Sequence, residues 1–114
     1  LVLIDPPYEK TDEVHRVQRM LAEGLKRFAT GIFAVWYPVT GDGLNEQLGQ
    51  LIRALDMPVL QVEMRVRAAE SGGLAGSGLF ILNPPWQLDE ELRVLLAALT
   101  ARLAQGPGAG FSVF

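Results

Sequence analysis

The 114-residue sequence contains no cysteine and only one histidine, His15. Without thiols there can be no disulfide framework and no thiolate metal site. His15 falls off the apolar stripe of its predicted helix and lacks the partners of a triad or a metal cage, which leaves it solvated. Long hydrophobic runs are missing too. The apolar stretches are only a few residues long, so neither a secretory leader nor a membrane span is supported, and a cytoplasmic protein is expected. An excess of basic charge is also absent: 10 Lys and Arg stand against 13 Asp and Glu, for a net charge of −3. Neutralising phosphates dominates nucleic-acid affinity. An RNA substrate would therefore be drawn from elsewhere in a larger protein, or by local pairs such as Lys26 with Arg27 and Arg65 with Arg67. Solvated surface charge is the default for both pairs.

What is present is an ordinary globular composition, 49% hydrophobic and 20% charged. A chain of this length can bury a core without staples, and residues 1–114 read as one unit with no internal linker. The chain opens on Leu1-Val2-Leu3-Ile4, already inside a core strand, so a piece of a longer protein is expected.

The pattern along the chain alternates strand and helix. Leu1 to Ile4 reads as a buried parallel strand ended by Asp5-Pro6-Pro7. Thr11 is placed to cap a helix from Asp12 to Phe28 whose apolar face is Val14, Val17, Leu21, Leu25 and Phe28. Ile32 to Tyr37 is a second strand, stopped by Pro38. Leu44, Leu48, Leu51, Ile52 and Leu55 mark a second helix. Val59 to Val66 alternates with apolar residues on both faces, so its burial stays open. Ala68 to Gly78 is a glycine-rich loop, and Gly78 to Asn83 another strand. A third helix from Asp89 to Leu103 carries Leu92, Leu95, Leu96, Leu99 and Leu103 on one face, and Phe111 to Phe114 closes the chain as a strand. Such alternation predicts parallel strands with right-handed crossovers, half of a doubly wound α/β sheet or a small complete one.

Asp5-Pro6-Pro7-Tyr8 stands at the carboxyl end of the first strand, the edge where open α/β sheets bind ligands. Its residue types suit methylation of an exocyclic amine, whose lone pair is delocalised into the heterocycle. Accepting hydrogen bonds from both amine hydrogens draws the nitrogen toward tetrahedral geometry. Asp5 offers a carboxylate for this and Pro6 a main-chain carbonyl. Pro7 restricts Pro6 to extended geometry and both rings fix φ. Acceptors held in place act without reorganising during the reaction. Tyr8 supplies an aromatic face for a flipped-out base. With a sulfonium donor, no metal is required.

Asn83-Pro84-Pro85-Trp86 repeats the arrangement, but Asn is a weaker acceptor and no cofactor-binding strand precedes it. A structural turn or a pocket wall is the expectation. Gly41-Asp42-Gly43 lacks the third glycine of a nucleotide fingerprint and reads as a turn. Gly76-Ser77-Gly78 and Gly106-Pro107-Gly108 precede strands, the wrong orientation for cradling phosphate. Trp36 and Tyr37 end the second strand at the same edge as Asp5; core packing is the default there, with Tyr37-Pro38 as a candidate border of the substrate pocket.

Leu3-Ile4-Asp5-Pro6-Pro7-Tyr8-Glu9, Lys26-Arg27-Phe28-Ala29-Thr30-Gly31, Trp36-Tyr37-Pro38, Gly76-Ser77-Gly78 and Asn83-Pro84-Pro85-Trp86 occur in this order. Together they resemble the C-terminal half of the large-subunit ribosomal RNA adenine methyltransferase J family. The resemblance implies a Rossmann-like class I methyltransferase fold, of which residues 1–114 form the C-terminal half of the sheet. It also implies S-adenosylmethionine as cofactor and the N6 amine of an adenine in large-subunit ribosomal RNA as substrate. Asp5 would be the catalytic acceptor and lie against the cofactor; Pro6 would be the second acceptor; Pro7, Tyr8 and Tyr37 would meet the substrate. The glycine-rich cofactor loop and ribose-binding acid would belong to an N-terminal half outside this sequence, which makes the isolated fragment inactive. Methylation of a DNA adenine or cytosine by the same motif, and a non-catalytic interaction domain, are the alternatives that the residues leave open.

Overall fold

The computed structural model describes residues 1–9 and 12–114; Thr11, the expected helix cap, lies outside them. Among the described residues the chain forms five strands and three α-helices. In order these are β1 (Val2–Ile4), α1 (Glu13–Arg27), β2 (Phe33–Val39), α2 (Leu44–Arg53), β3 (Val59–Arg65), β4 (Gly76–Leu82), α3 (Leu88–Leu103) and β5 (Gly110–Val113). The strands make one mixed sheet in the order β1-β2-β4-β3-β5.

Periodicity explains which faces meet. Val14, Val17 and Leu21 of α1 are buried at three- and four-residue spacing, as are Leu48 and Ile52 of α2. Both helices pack on the odd residues of β2, from Phe33 to Val39, and on Phe80 and Leu82 of β4. The opposite face of the sheet carries a smaller core of Val62, Ile81 and Leu96, with Leu60, Met64, Leu79, Leu92 and Phe111 packed around it. Alpha-helix α3 covers only that side. No helix among the described residues is long and apolar enough to cross a membrane.

Four expectations change. The strands are not all parallel. β1 pairs parallel with β2, but β4 inserts antiparallel between β2 and β3, and β5 pairs antiparallel with β3. The glycine-rich stretch is thus the connection of an antiparallel β3–β4 pair, which needs no crossover helix.

Next, β1, expected to be buried, stands at the edge of the sheet that the described residues form. Among them it pairs with β2 alone, and Leu1 and Leu3 are 86% and 66% exposed.

Pro38, expected to stop β2, lies within it. Even-numbered residues of β2 turn their polar groups toward β1: the Ile32 carbonyl accepts from Val2 N–H at 2.9 Å. β1 ends opposite Val35, so the N–H that Pro38 lacks would have met no ladder partner.

Finally, the leucine stripe of α3 divides. Leu92 and Leu96 face the sheet, whereas Leu95, Leu99 and Leu103 are exposed.

Candidate active site

β1 delivers Asp5 to the carboxyl edge of the sheet, and the prolines turn the chain there. Asp5 is exposed, Pro6 buried, Pro7 exposed and Tyr8 half-buried. The Asp5 side chain makes no hydrogen bond or ion pair among the described residues. An uncommitted carboxylate at this position is free to accept from a ligand.

Tyr8 is held far more tightly. Its φ is 54°, a left-handed conformation costly for a bulky residue. Its hydroxyl donates to the Trp36 carbonyl at 2.6 Å, and the two rings lie 6.4 Å apart, tilted by 43°. Burial raises the Tyr8 phenol above its ordinary value, and the negative charges of Asp5 and Glu13 raise it further. The hydroxyl therefore stays protonated as a donor.

Glu13 was legible only as an acid favoured by the helix dipole. It is buried, 6% exposed, and takes a hydrogen bond from Arg16 at 3.1 Å. Its charge is felt at Tyr8, so it belongs to the surroundings of the motif. Trp36 is the other residue that sequence reasoning undervalued. An aromatic one position before a tyrosine on a strand points to the opposite face from it, and that alternation was the available signal.

Tyr37 does not border the site. It is fully buried, with its hydroxyl donating to Glu63 Oε2 at 2.8 Å and accepting from Gln61 Nε2 at 2.9 Å. Arg53 donates to Gln61 Oε1 at 2.6 Å and Arg65 to Glu63 Oε1 at 2.8 Å. Burial raises the Tyr37 phenol; the Gln61 bond opposes this, and Glu63 adds to it. The physical reason for the correction is pairing across the sheet. Tyr37, Gln61 and Glu63 share the face beneath α2, and each satisfies another's buried polar atoms.

The second proline pair lies at the other edge of the sheet, because β4 runs antiparallel. Asn83 has a φ of 55°. Its side-chain amide donates to the Ala29 and Gly31 carbonyls at 3.0 and 2.9 Å, tying the turn to the α1–β2 connection. That is the structural turn expected, with Trp86 88% exposed beside it. Gly41-Asp42-Gly43 is likewise a turn: Asp42 Oδ1 accepts from the Thr40 hydroxyl at 2.8 Å and from Leu44 N–H at 3.2 Å. These bonds, led by Thr40, hold the Asp42 carboxyl below its usual range.

The basic pairs are mostly engaged within the fold. Arg65 is bonded to Glu63, and Arg67 donates to the Gly72 and Leu74 carbonyls. Lys26 pairs with Glu23 on an exposed helix face, where such a pair contributes little.

A family model described as ribosomal RNA large subunit methyltransferase D, RlmJ, matches residues 1–113. The chain belongs to the RlmJ family. Two relatives named ribosomal RNA large subunit methyltransferase J are each 40% identical to it. The protein from Haemophilus influenzae aligns with 95% of this chain, and the one from Escherichia coli with 90%. Those alignments cover 40% and 38% of the relatives, so this RlmJ-family chain spans about two fifths of their length. The crystal structure of protein LPL1258 from Legionella pneumophila superposes with a TM-score of 0.87 at 28% identity. It matches 98% of this chain with 42% of its own.

Proposed function

We propose that this RlmJ-family chain is the catalytic-motif half of an enzyme that methylates the N6 amine of an adenine in large-subunit ribosomal RNA, with S-adenosylmethionine as donor. The sheet is read as the C-terminal half of a Rossmann-like class I fold. The rest of the same polypeptide supplies the glycine-rich cofactor loop, and the location is cytoplasmic, where the RNA substrate is made. The names of the curated relatives support an RNA target.

The observation that carries the reading is the contrast at the tip of β1: a carboxylate with no hydrogen-bond or ion-pair partner among the described residues, beside an aromatic ring locked in a strained conformation. Backbone strain that persists in a folded protein concentrates at functional sites. Asp5 and the Pro6 carbonyl accept from the two amine hydrogens and draw the nitrogen lone pair out of conjugation. Pro7 limits the freedom of Pro6 to turn away. Tyr8 stacks on the base and holds it in plane with the acceptors.

Asp5 also fits a cofactor with a sulfonium centre, since its free carboxylate stands at the ligand-binding edge and complements positive charge. When bound, S-adenosylmethionine supplies an electrophilic methyl group. The residues of this chain that would lie nearest are those of the Asp5–Tyr8 turn.

Asp5→Ala in the full-length protein tests the assignment. Methyl transfer is expected to fall by at least about 100-fold, the scale for losing one preorganised polar group. RNA binding and thermal midpoint should stay unchanged, because Asp5 is exposed and makes no hydrogen bond among the described residues. Retained turnover would refute the role. Assays on naked ribosomal RNA and on DNA separate the RNA reading from the DNA alternative.

A further inference from the structure

The bond between Tyr8 and Trp36 has its origin in the strand that Tyr8 leaves. β1 and β2 pair in parallel as Val2↔Phe33, Leu3↔Ala34 and Ile4↔Val35. The ladder begins with Val2 N–H donating to Ile32 O, and parallel ladders advance two residues on each strand per bond. Its third step would call on the N–H of residue 6 for the carbonyl of Trp36. Residue 6 is proline and has no N–H. The Tyr8 hydroxyl meets that carbonyl instead, at 2.6 Å.

Trp36 meets Tyr8 a second time through its ring, 6.4 Å away and tilted by 43°. That arrangement is neither parallel nor open enough to sandwich a base between the two rings. The indole instead braces the tyrosine from the side. A bulky residue at φ 54° stays there only where its surroundings over-determine it, and these two contacts are such a constraint.

We propose that Trp36 is a positioning residue for Tyr8, its carbonyl and its indole together fixing the orientation of the ring on which the substrate base stacks. Pro6 then has a second role, leaving that carbonyl open to the tyrosine hydroxyl. The proposal rests on the reading of Tyr8 as the stacking platform. It assigns the hydroxyl to the protein and only the π face to the substrate.

The test uses the full-length protein and two versions of a ribosomal RNA fragment. One has 2-aminopurine at the target adenine, which lacks the N6 amine and reads binding and stacking only; the other has the natural adenine, on which kcat is measured. 2-Aminopurine fluoresces when unstacked and is quenched against an aromatic ring. Two variants loosen the platform by different routes: Tyr8→Phe removes the hydroxyl, and Trp36→Leu removes the indole while keeping apolar volume. Each is expected to bind RNA within about twofold of the parent, to brighten the bound 2-aminopurine, and to lower kcat about three- to tenfold, the scale of one hydrogen bond. Trp36→Phe should restore most of both signals.

The proposal is overturned if Tyr8→Phe behaves like the parent, or if Trp36→Leu loses activity only in step with a lower Tm and weaker RNA binding. Tyr8→Ala separates this failure from that of the underlying reading. If Tyr8→Ala leaves fluorescence and turnover unchanged, the base does not stack on Tyr8 at all. If it brightens the probe and abolishes turnover while the milder variants change nothing, only the role of Trp36 falls.

Discussion

Tyr37 joins two strands and a helix through one phenol oxygen. Its partners Gln61 and Glu63 come from β3, and Gln61 is held in turn by Arg53 of α2. Asn45, also on α2, reaches Glu63 at 3.4 Å. Deleting the hydroxyl leaves a buried carboxylate short of a donor and a buried amide short of an acceptor. Tyr37→Phe is therefore expected to destabilise the protein by about 1–3 kcal/mol, read from the denaturant midpoint, although the substitution keeps the ring. At this scale the sequence was informative where chemistry is local. Asp5 to Tyr8 are chain neighbours, so their juxtaposition needed no tertiary knowledge. The burial of Tyr37 depends on residues 24 and 26 positions away, across a strand that inserts between them, and no spacing rule reaches that far.

At the scale of elements, β4 depends on Gly78, the second of its two glycines. Gly78 lies opposite Tyr37 in the β2–β4 register, and a Cβ built there would fall inside the Tyr37 ring, against Cζ and the hydroxyl. Gly78→Ala is expected to cost about 1–3 kcal/mol, the scale of overpacking a closed site. The companion variant Tyr37→Leu should remove much of that penalty in a double-mutant cycle, because it clears the ring that the Cβ would strike. The turn after β4 offers a second check. Asn83→Ala removes both bonds to the α1–β2 connection and forces alanine to a φ of 55°. Asn83→Gly removes the bonds but tolerates the dihedral. Both should lower the thermal midpoint, alanine more than glycine. Helices were legible because a 3.6-residue period marks the buried side. Strand direction was not, since alternation reads the same from either end, so β4 and β5 were expected to be parallel. The leucines of α3 misled for a related reason: apolar residues on two adjacent stripes do not say which stripe meets the sheet.

For the whole molecule, both tyrosines of the chain resist ionisation, and this sets an alkaline limit on stability. Burial is the leading cause at Tyr8 and at Tyr37, and each is raised above its ordinary value. A tyrosine in the unfolded chain ionises near pH 10, about its unperturbed value. Below that pH the folded and unfolded states hold the same phenolic protons, and the contribution to stability is constant. Above it the unfolded chain releases protons that the folded chain keeps, so stability falls as pH rises toward the folded-state values. The denaturant midpoint is therefore expected to be flat in this respect from pH 8 to about 10 and to decline beyond. Tyr37→Phe starts from a lower midpoint, for the reason given above, but should show a shallower alkaline decline, since one of the two ionisations has been removed. Equal slopes in the parent and the variant would mean that Tyr37 titrates normally in the folded protein, which its sealed position beneath α2 forbids.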